Sequence, residues 1–169
     1  VRGEGDYLWD GEGNKYLDMY NNVAGVGHCN PAVVEAVTEQ MKTLNTHTRY
    51  LHEKILDYSE ELLELMPDEI NKIMYMCTGS EANDLALRVA EAYTGGTGII
   101  ITQEAYHGTS ALTSGCSPSL GAGQPLLPNV RLITAPDYYR HGGTPEEFTA
   151  WYASELSLIH ISEPTRRTP

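Results

Sequence analysis

The sequence predicts an α/β fold, an N-terminal β-hairpin and helix segment followed by βαβ units of a parallel sheet, on three observations. Residues 72–77 form an apolar run that reads as a buried strand, and it stops at Thr78-Gly79-Ser80, where Glu81, Leu85, Ala86, Val89, Ala90 and Tyr93 take up helical spacing. Gly98-Ile99-Ile100-Ile101-Thr102 is a second run of strand length, apolar on both faces as a fully buried parallel strand is. Near the start, Tyr7-Leu8-Trp9 and Lys15-Tyr16-Leu17-Asp18-Met19 flank Asp10-Gly11-Glu12-Gly13, a turn signal that makes them a hairpin. Strand, helix, strand in that order implies a right-handed βαβ unit.

After the hairpin, residues 21–30 read as a loop containing Gly25, Gly27 and His28, and Asn30-Pro31 supplies a cap and a first-turn proline for a helix. Val33, Val34, Val37, Met41 and Leu44 are its expected buried face. Residues 45–52 are polar and mixed, a connector between subdomains. Ile55, Leu56, Ser59, Leu62, Leu63 and Met66 then mark an amphipathic helix that Pro67 and Asp68 end. Gly95-Gly96 stops the central helix. Residues 114–128, rich in Gly, Pro and Ser, read as a long loop, and residues 130–134 as a third short strand. Thr144-Pro145-Glu146-Glu147 is a capping box with proline at the first helical position.

Composition narrows the function classes. The 169 residues, 41% of them hydrophobic, can bury a core. A net charge of -12 disfavours nucleic acid and anionic membrane surfaces as partners. No stretch has the apolar length of a membrane span. Cys29, Cys77 and Cys116 are an odd number without CxxC spacing, which points to packed thiols in a reducing compartment; His28 beside Cys29 lacks a second pair for a metal. These features together predict a soluble, cytoplasmic protein. The missing initial methionine and an opening that resembles the approach to a strand predict a fragment.

The chemistry concentrates at the turn. Gly79 lets backbone approach a ligand, Ser80 is a natural N-cap, and the first amides of a helix lack internal partners, so a phosphate fits there. In an open α/β sheet ligands bind at the carboxyl ends of strands, where Tyr106-His107-Gly108 also falls. A flat phosphorylated ligand would use both loops. On residue chemistry alone the alternative, a capped turn beside a core aromatic, stands level with this reading.

Thr78-Gly79-Ser80-Glu81-Ala82-Asn83 followed by Tyr106-His107-Gly108 resembles the class III aminotransferases, pyridoxal-phosphate (PLP) enzymes of fold type I. Matching stretches precede it at residues 7–18 and at Gly27-His28-Cys29-Asn30-Pro31, where the family usually has histidine in place of Asn30. The resemblance implies a partial fold type I transferase: an N-terminal segment over residues 1–50 and an incomplete large PLP-binding domain over 51–155. It implies that Gly79 and Ser80 hold the cofactor phosphate, that Tyr106 stacks on the pyridine ring, and that His107 lies beside it. Asn21-Asn22-Val23 and residues 45–52 look most like the branch holding ethanolamine-phosphate phospho-lyase and alanine–glyoxylate aminotransferase, which makes Val23, Arg49 and Tyr50 candidates for a substrate pocket.

Family chemistry needs a lysine for the Schiff base and an aspartate for the pyridinium nitrogen. The four lysines, Lys15, Lys42, Lys54 and Lys72, do not match the family's lysine motif, and the aspartate motif is missing too. The resemblance therefore implies an inactive fragment of a homodimeric aminotransferase acting on a small-molecule amino donor and a 2-oxo acid. Two alternatives stand beside it: a PLP-dependent phospho-lyase acting on a phosphorylated amine, and a noncatalytic phosphate-binding module. Residues 156–169 begin Leu-Ser-Leu-Ile-His-Ile and resemble the translation of a transposon-type sequencing adapter, a tail foreign to the fold.

Overall fold

A computed structural model describes residues 1–47 and 49–162, with side chains as far as Ser157; Thr48 of the connector and residues 163–169 of the adapter-like tail lie outside the described residues. The chain forms two compact units, Val1–Asn71 and Lys72–Pro169.

In the first unit β1 (Arg2–Glu4), β2 (Tyr7–Trp9) and β3 (Lys15–Leu17) make an antiparallel meander in that order, one strand more than the expected hairpin. Leu8 is the pivot, opposite Gly3 on one side and Tyr16 on the other. The Asp10 carboxylate knots the turn: it accepts from the amides of Glu12 and Asn14 and from the Asn14 side chain and Tyr16 hydroxyl, each at 2.9 Å. These donors, the Asn14 side chain foremost, pull its pKa down to about 2. His28 Nε2 meets Asp18 Oδ2 at 2.7 Å, both side chains largely buried. A Cβ on Gly3 would lie 2.8 Å from His28 Cγ, so the histidine is packed against the meander, as a loop-packing role requires. Among the described residues no group of His, Cys, Asp and Glu could hold a metal ion.

Asn30 caps α1 (Pro31–Thr43), its Oδ1 accepting from the amides of Ala32 and Val33. The expected burial of the α1 stripe does not occur: Val33, Val34, Val37 and Leu44 are about half exposed and Met41 is 68% exposed. Amphipathic spacing shows which face is apolar, and nothing among the described residues buries this one. In α2 (Glu53–Leu63) Leu62 and Leu63 are half-buried, whereas Ile55 and Leu56 are exposed.

In the second unit α3 (Gly79–Thr94) ends on Gly95, whose φ of 67° is the left-handed C-cap conformation. β4 (Ile99–Thr102) and β5 (Val130–Ile133) pair in parallel, Ile101 opposite Leu132. Between them lie α4 (Ala111–Ser114), which the sequence did not announce, and a 3-10 turn at Pro118–Leu120. α5 (Tyr138–His141) and α6 (Pro145–Ser162) follow, the latter opened by the predicted capping box: Thr144 Oγ1 accepts from the Glu147 amide and Glu147 Oε2 from the Thr144 amide. Ile101, Cys116 and Val130 form the core, with Leu87, Ile99, Ala105, Leu126 and Leu127 packed on it.

Three further expectations need correction. Residues 72–77 are not a strand, and Met74, Tyr75, Met76 and Cys77 are exposed. A strand is defined by its ladder, and no described strand pairs with this segment, so the parallel pair is β4–β5 rather than one formed across α3. Of the β4 isoleucines only Ile101 is buried, and Ile100 is 51% exposed because one face of the two-stranded sheet is uncovered. Of the three thiols only Cys116 is packed; Cys29 and Cys77 are exposed.

Candidate functional site

Thr78, not Ser80, caps α3. Thr78 is extended (φ -143°, ψ 160°) and its Oγ1 accepts from the Glu81 amide at 3.2 Å, while Gly79 and Ser80 already lie inside the helix as its first two residues. Both are hydroxyl residues at the right place, and only the backbone angles decide between them. The correction strengthens the site. The Gly79 and Ser80 amides fall at the positions that have no acceptor within a helix, and neither has a protein acceptor among the described residues. A Cβ on Gly79 would meet nothing within 4 Å, so open space lies beside that residue.

Freed from capping, the Ser80 side chain does other work: its Oγ accepts from the Thr109 amide at 3.1 Å. Gly108 sits directly over it with φ 132°, and a Cβ there would come 2.8 Å from Ser80 Cα. Only glycine permits this approach. The 106–110 loop is thus laid on the first turn of α3 by these contacts and not by a shared sheet edge, since residues 72–77 form no strand. Tyr106 is 59% exposed and His107 is half-buried.

Sequence reasoning missed the residues that fasten this loop. Asn83 Nδ2 donates to the His107 carbonyl (2.8 Å), the His107 amide donates to Ser117 Oγ (2.8 Å), and Ser110 Oγ donates to Asp84 Oδ1 (2.8 Å). Ser117 and Thr113 are wholly buried beneath it. Ser80, Asn83 and Asp84 stand at i, i+3 and i+4, so one helix face carries all three ties; that polar stripe at the start of the helix was the available signal. Burial and, secondarily, the Asp84 charge raise the pKa of the neighbouring Cys116 thiol, which makes it an inert packing group. Below the ties an apolar cleft of about 360 Å³ runs between α3 and β4, lined by Leu87, Ala90 and Ile99 to Ile101.

The other candidates belong to the first unit. Val23 is 89% exposed and Tyr50 64% exposed, the Tyr50 ring lying 5.3 Å from His47; the Arg49 amide donates to His47 Nδ1. No hydrogen bond or ring contact among the described residues links Val23 to Arg49 or Tyr50.

The model of the aminotransferase class-III family matches residues 1–156. The chain belongs to that family. Curated relatives include an alanine–glyoxylate aminotransferase 2-like protein of Drosophila melanogaster, 40% identical over 82% of this chain and 29% of its own length. Another is the ethanolamine-phosphate phospho-lyase homolog 1 of Caenorhabditis elegans, 41% identical over 66% of this chain and 24% of its own. The chain therefore spans less than a third of the length of these relatives. Among solved structures, a phospholyase from Arthrobacter in complex with phosphoethanolamine superposes with a TM-score of 0.83 at 37% identity, covering 95% of this chain and 38% of that one. The PMP-bound aminotransferase of Vibrio fluvialis superposes at 0.75 with 28% identity, covering 96% and 40%.

Family members of both kinds confirm the α/β architecture expected of a partial fold type I domain. They also overturn the cytoplasmic assignment. The alanine–glyoxylate aminotransferase 2 relatives of Arabidopsis thaliana and Pongo abelii, 38% and 34% identical, are mitochondrial. Charge and cysteine parity describe solvent and redox conditions, and those are not an address. Among the described residues no helix is long and apolar enough to cross a membrane.

Proposed function

We propose that this chain supplies the phosphate end and one aromatic wall of a PLP site, within an enzyme that moves an amino group between an amino acid or amine and a 2-oxo acid. The observation that carries the reading is the pair of unpartnered amides, Gly79 and Ser80, at the start of a 16-residue helix with open space beside Gly79. Two successive N–H donors and the positive end of a helix dipole suit a phosphate dianion. Tyr106, exposed on the loop tied to that turn, offers a face for the pyridine ring, and His107 flanks it. The donor set and the glycine cradle therefore fit the cofactor, whose chemistry when bound is to withdraw electrons from the substrate's α-carbon. The chain's own residues bind and orient. Gly79 and Ser80 fix the phosphate, the Ser80–Thr109 bond holds the loop to the same turn, and Tyr106 limits water above the ring. Val23, Arg49 and Tyr50 of the first unit stay the candidates for substrate binding, Arg49 as the group that would receive a carboxylate or phosphate. The full-length protein is assigned as a homodimer with small-molecule amino donor and acceptor.

A phospho-lyase acting on a phosphorylated amine is the second reading. It is favoured by the 37% identity and 0.83 TM-score to the phosphoethanolamine complex. Phosphate release against amino transfer by the full-length protein separates the two.

The site itself is tested on the 169-residue chain by titrating it with PLP and with pyridoxal, followed by circular dichroism in the cofactor band. Binding of PLP at least tenfold tighter than pyridoxal is expected. Equal binding of the two would contradict a phosphate site at Gly79 and Ser80.

A further inference from the structure

We infer that Asn83 and Ser117 are positioning residues that grip the His107 backbone at its C=O and its N–H and so set the Tyr106 and His107 side chains at a fixed height above the anion-binding turn. The inference rests on the reading of the site just given and goes beyond it, because neither residue touches the phosphate position. Asn83 donates to the His107 carbonyl and Ser117 accepts from the His107 amide, both at 2.8 Å. Ser117 is wholly buried and is held in turn, its hydroxyl lying 2.6 Å from the Thr113 carbonyl and 3.3 Å from that of Gly108. Asn83 follows Ser80 by three residues on α3, so helix rise alone fixes the spacing between the cradle amides and the point where the loop is caught, about 4.5 Å along the axis. Asp84 receives Ser110 on the same face, 2.8 Å away, and Ser110 and Thr113 cap α4 reciprocally.

A loop residue that carries an exposed aromatic ring has no packing to define its orientation, and Tyr106 is 59% exposed. Its orientation must come from the backbone, and His107 next to it is the only residue in the 106–110 loop whose N–H and C=O are both held by side chains among the described residues. Loss of either bond leaves the helix N-terminus intact and loosens the ring. Phosphate recognition and ring recognition are thereby separable in this chain.

Ser117→Ala, nearly isosteric, and Asn83→Ala, on a half-buried residue, are compared with the unsubstituted 169-residue chain, using inorganic phosphate and PLP as probes and far-ultraviolet circular dichroism as the gauge of folding. Each variant is expected to bind phosphate within twofold of the parent chain, to bind PLP about tenfold more weakly, the worth of one hydrogen bond to a partly buried group, and to lose induced circular dichroism in the cofactor band. Unchanged PLP affinity in both variants, or parallel loss of phosphate and PLP in a variant whose helix signal is intact, would overturn the inference. A parent chain that binds neither probe would instead refute the site itself, and the positioning role with it.

Discussion

Gly79→Pro separates binding from folding at the centre of the site. Gly79 is the first residue of α3, where proline is tolerated because the amide has no helical acceptor to lose. Thr78 before it is extended at φ -143°, ψ 160°, the conformation that a following proline demands. Open space where a side chain would project leaves room for the ring. The fold should therefore be unharmed or slightly stabilised, by about 0.4–1 kcal/mol through a less flexible unfolded chain. Binding should not survive so well. The substitution deletes one N–H donor to a phosphate, a charge-assisted hydrogen bond worth about 1.5–3 kcal/mol, or roughly 10- to 100-fold in affinity. Isothermal titration with inorganic phosphate and with PLP, alongside urea unfolding, reads both quantities. Unchanged affinity for both ligands in a folded variant would refute the assignment of the Gly79 amide as a phosphate donor.

Other substitutions test the surrounding geometry. Gly108→Ala forces a side chain into φ 132° and toward Ser80 Cα, so it should cost about 2–4 kcal/mol in urea unfolding and release the loop from α3; a loss under 0.5 kcal/mol would contradict the close approach. Thr78→Val removes the α3 cap and should cost about 1 kcal/mol, whereas Thr78→Ser should cost little, as thermal melting of the two will show. Tyr106→Ala should weaken PLP binding and spare phosphate; parallel loss of both would show that the ring does not act as a stacking face. Because the Asp10 pKa is lowered to about 2, the stability it contributes is fully present above the ordinary value of 3.8 and is lost as pH falls through about 2. Acid unfolding of Asp10→Asn should lack that component, and an acid limb identical to the parent's would show that the turn does not use the charge.

Much of this architecture was legible because it is local. Asn30-Pro31 and Thr144-Pro145 place helix starts through bonds within four residues, and Gly95 ends α3 through its own φ. The apolar runs of β4 and β5 likewise announced two strands, though not that they pair with each other. What failed depended on distant partners. Residues 72–77 have strand composition, yet a ladder is a property of two segments. The α1 stripe has the right period, and coverage of that stripe is decided by what lies against it. The turn proposed to bind phosphate stood out because glycine, a hydroxyl and the onset of helical spacing coincide within three residues. The residues that hold its second wall were not, since the Asn83–His107 bond spans 24 positions and the Ser80–Thr109 bond 29. Polar side chains at i, i+3 and i+4 along an otherwise mixed helix were the trace they left, and nothing in the spacing says what they grip.

The most direct test of the central claim is a residue-resolved one: amide chemical shifts of the 169-residue chain during titration with inorganic phosphate and then PLP. The account predicts that the Gly79 and Ser80 amides shift with both ligands and that Tyr106, His107 and Gly108 respond to PLP alone. Saturable shifts that leave Gly79 and Ser80 unmoved would contradict it.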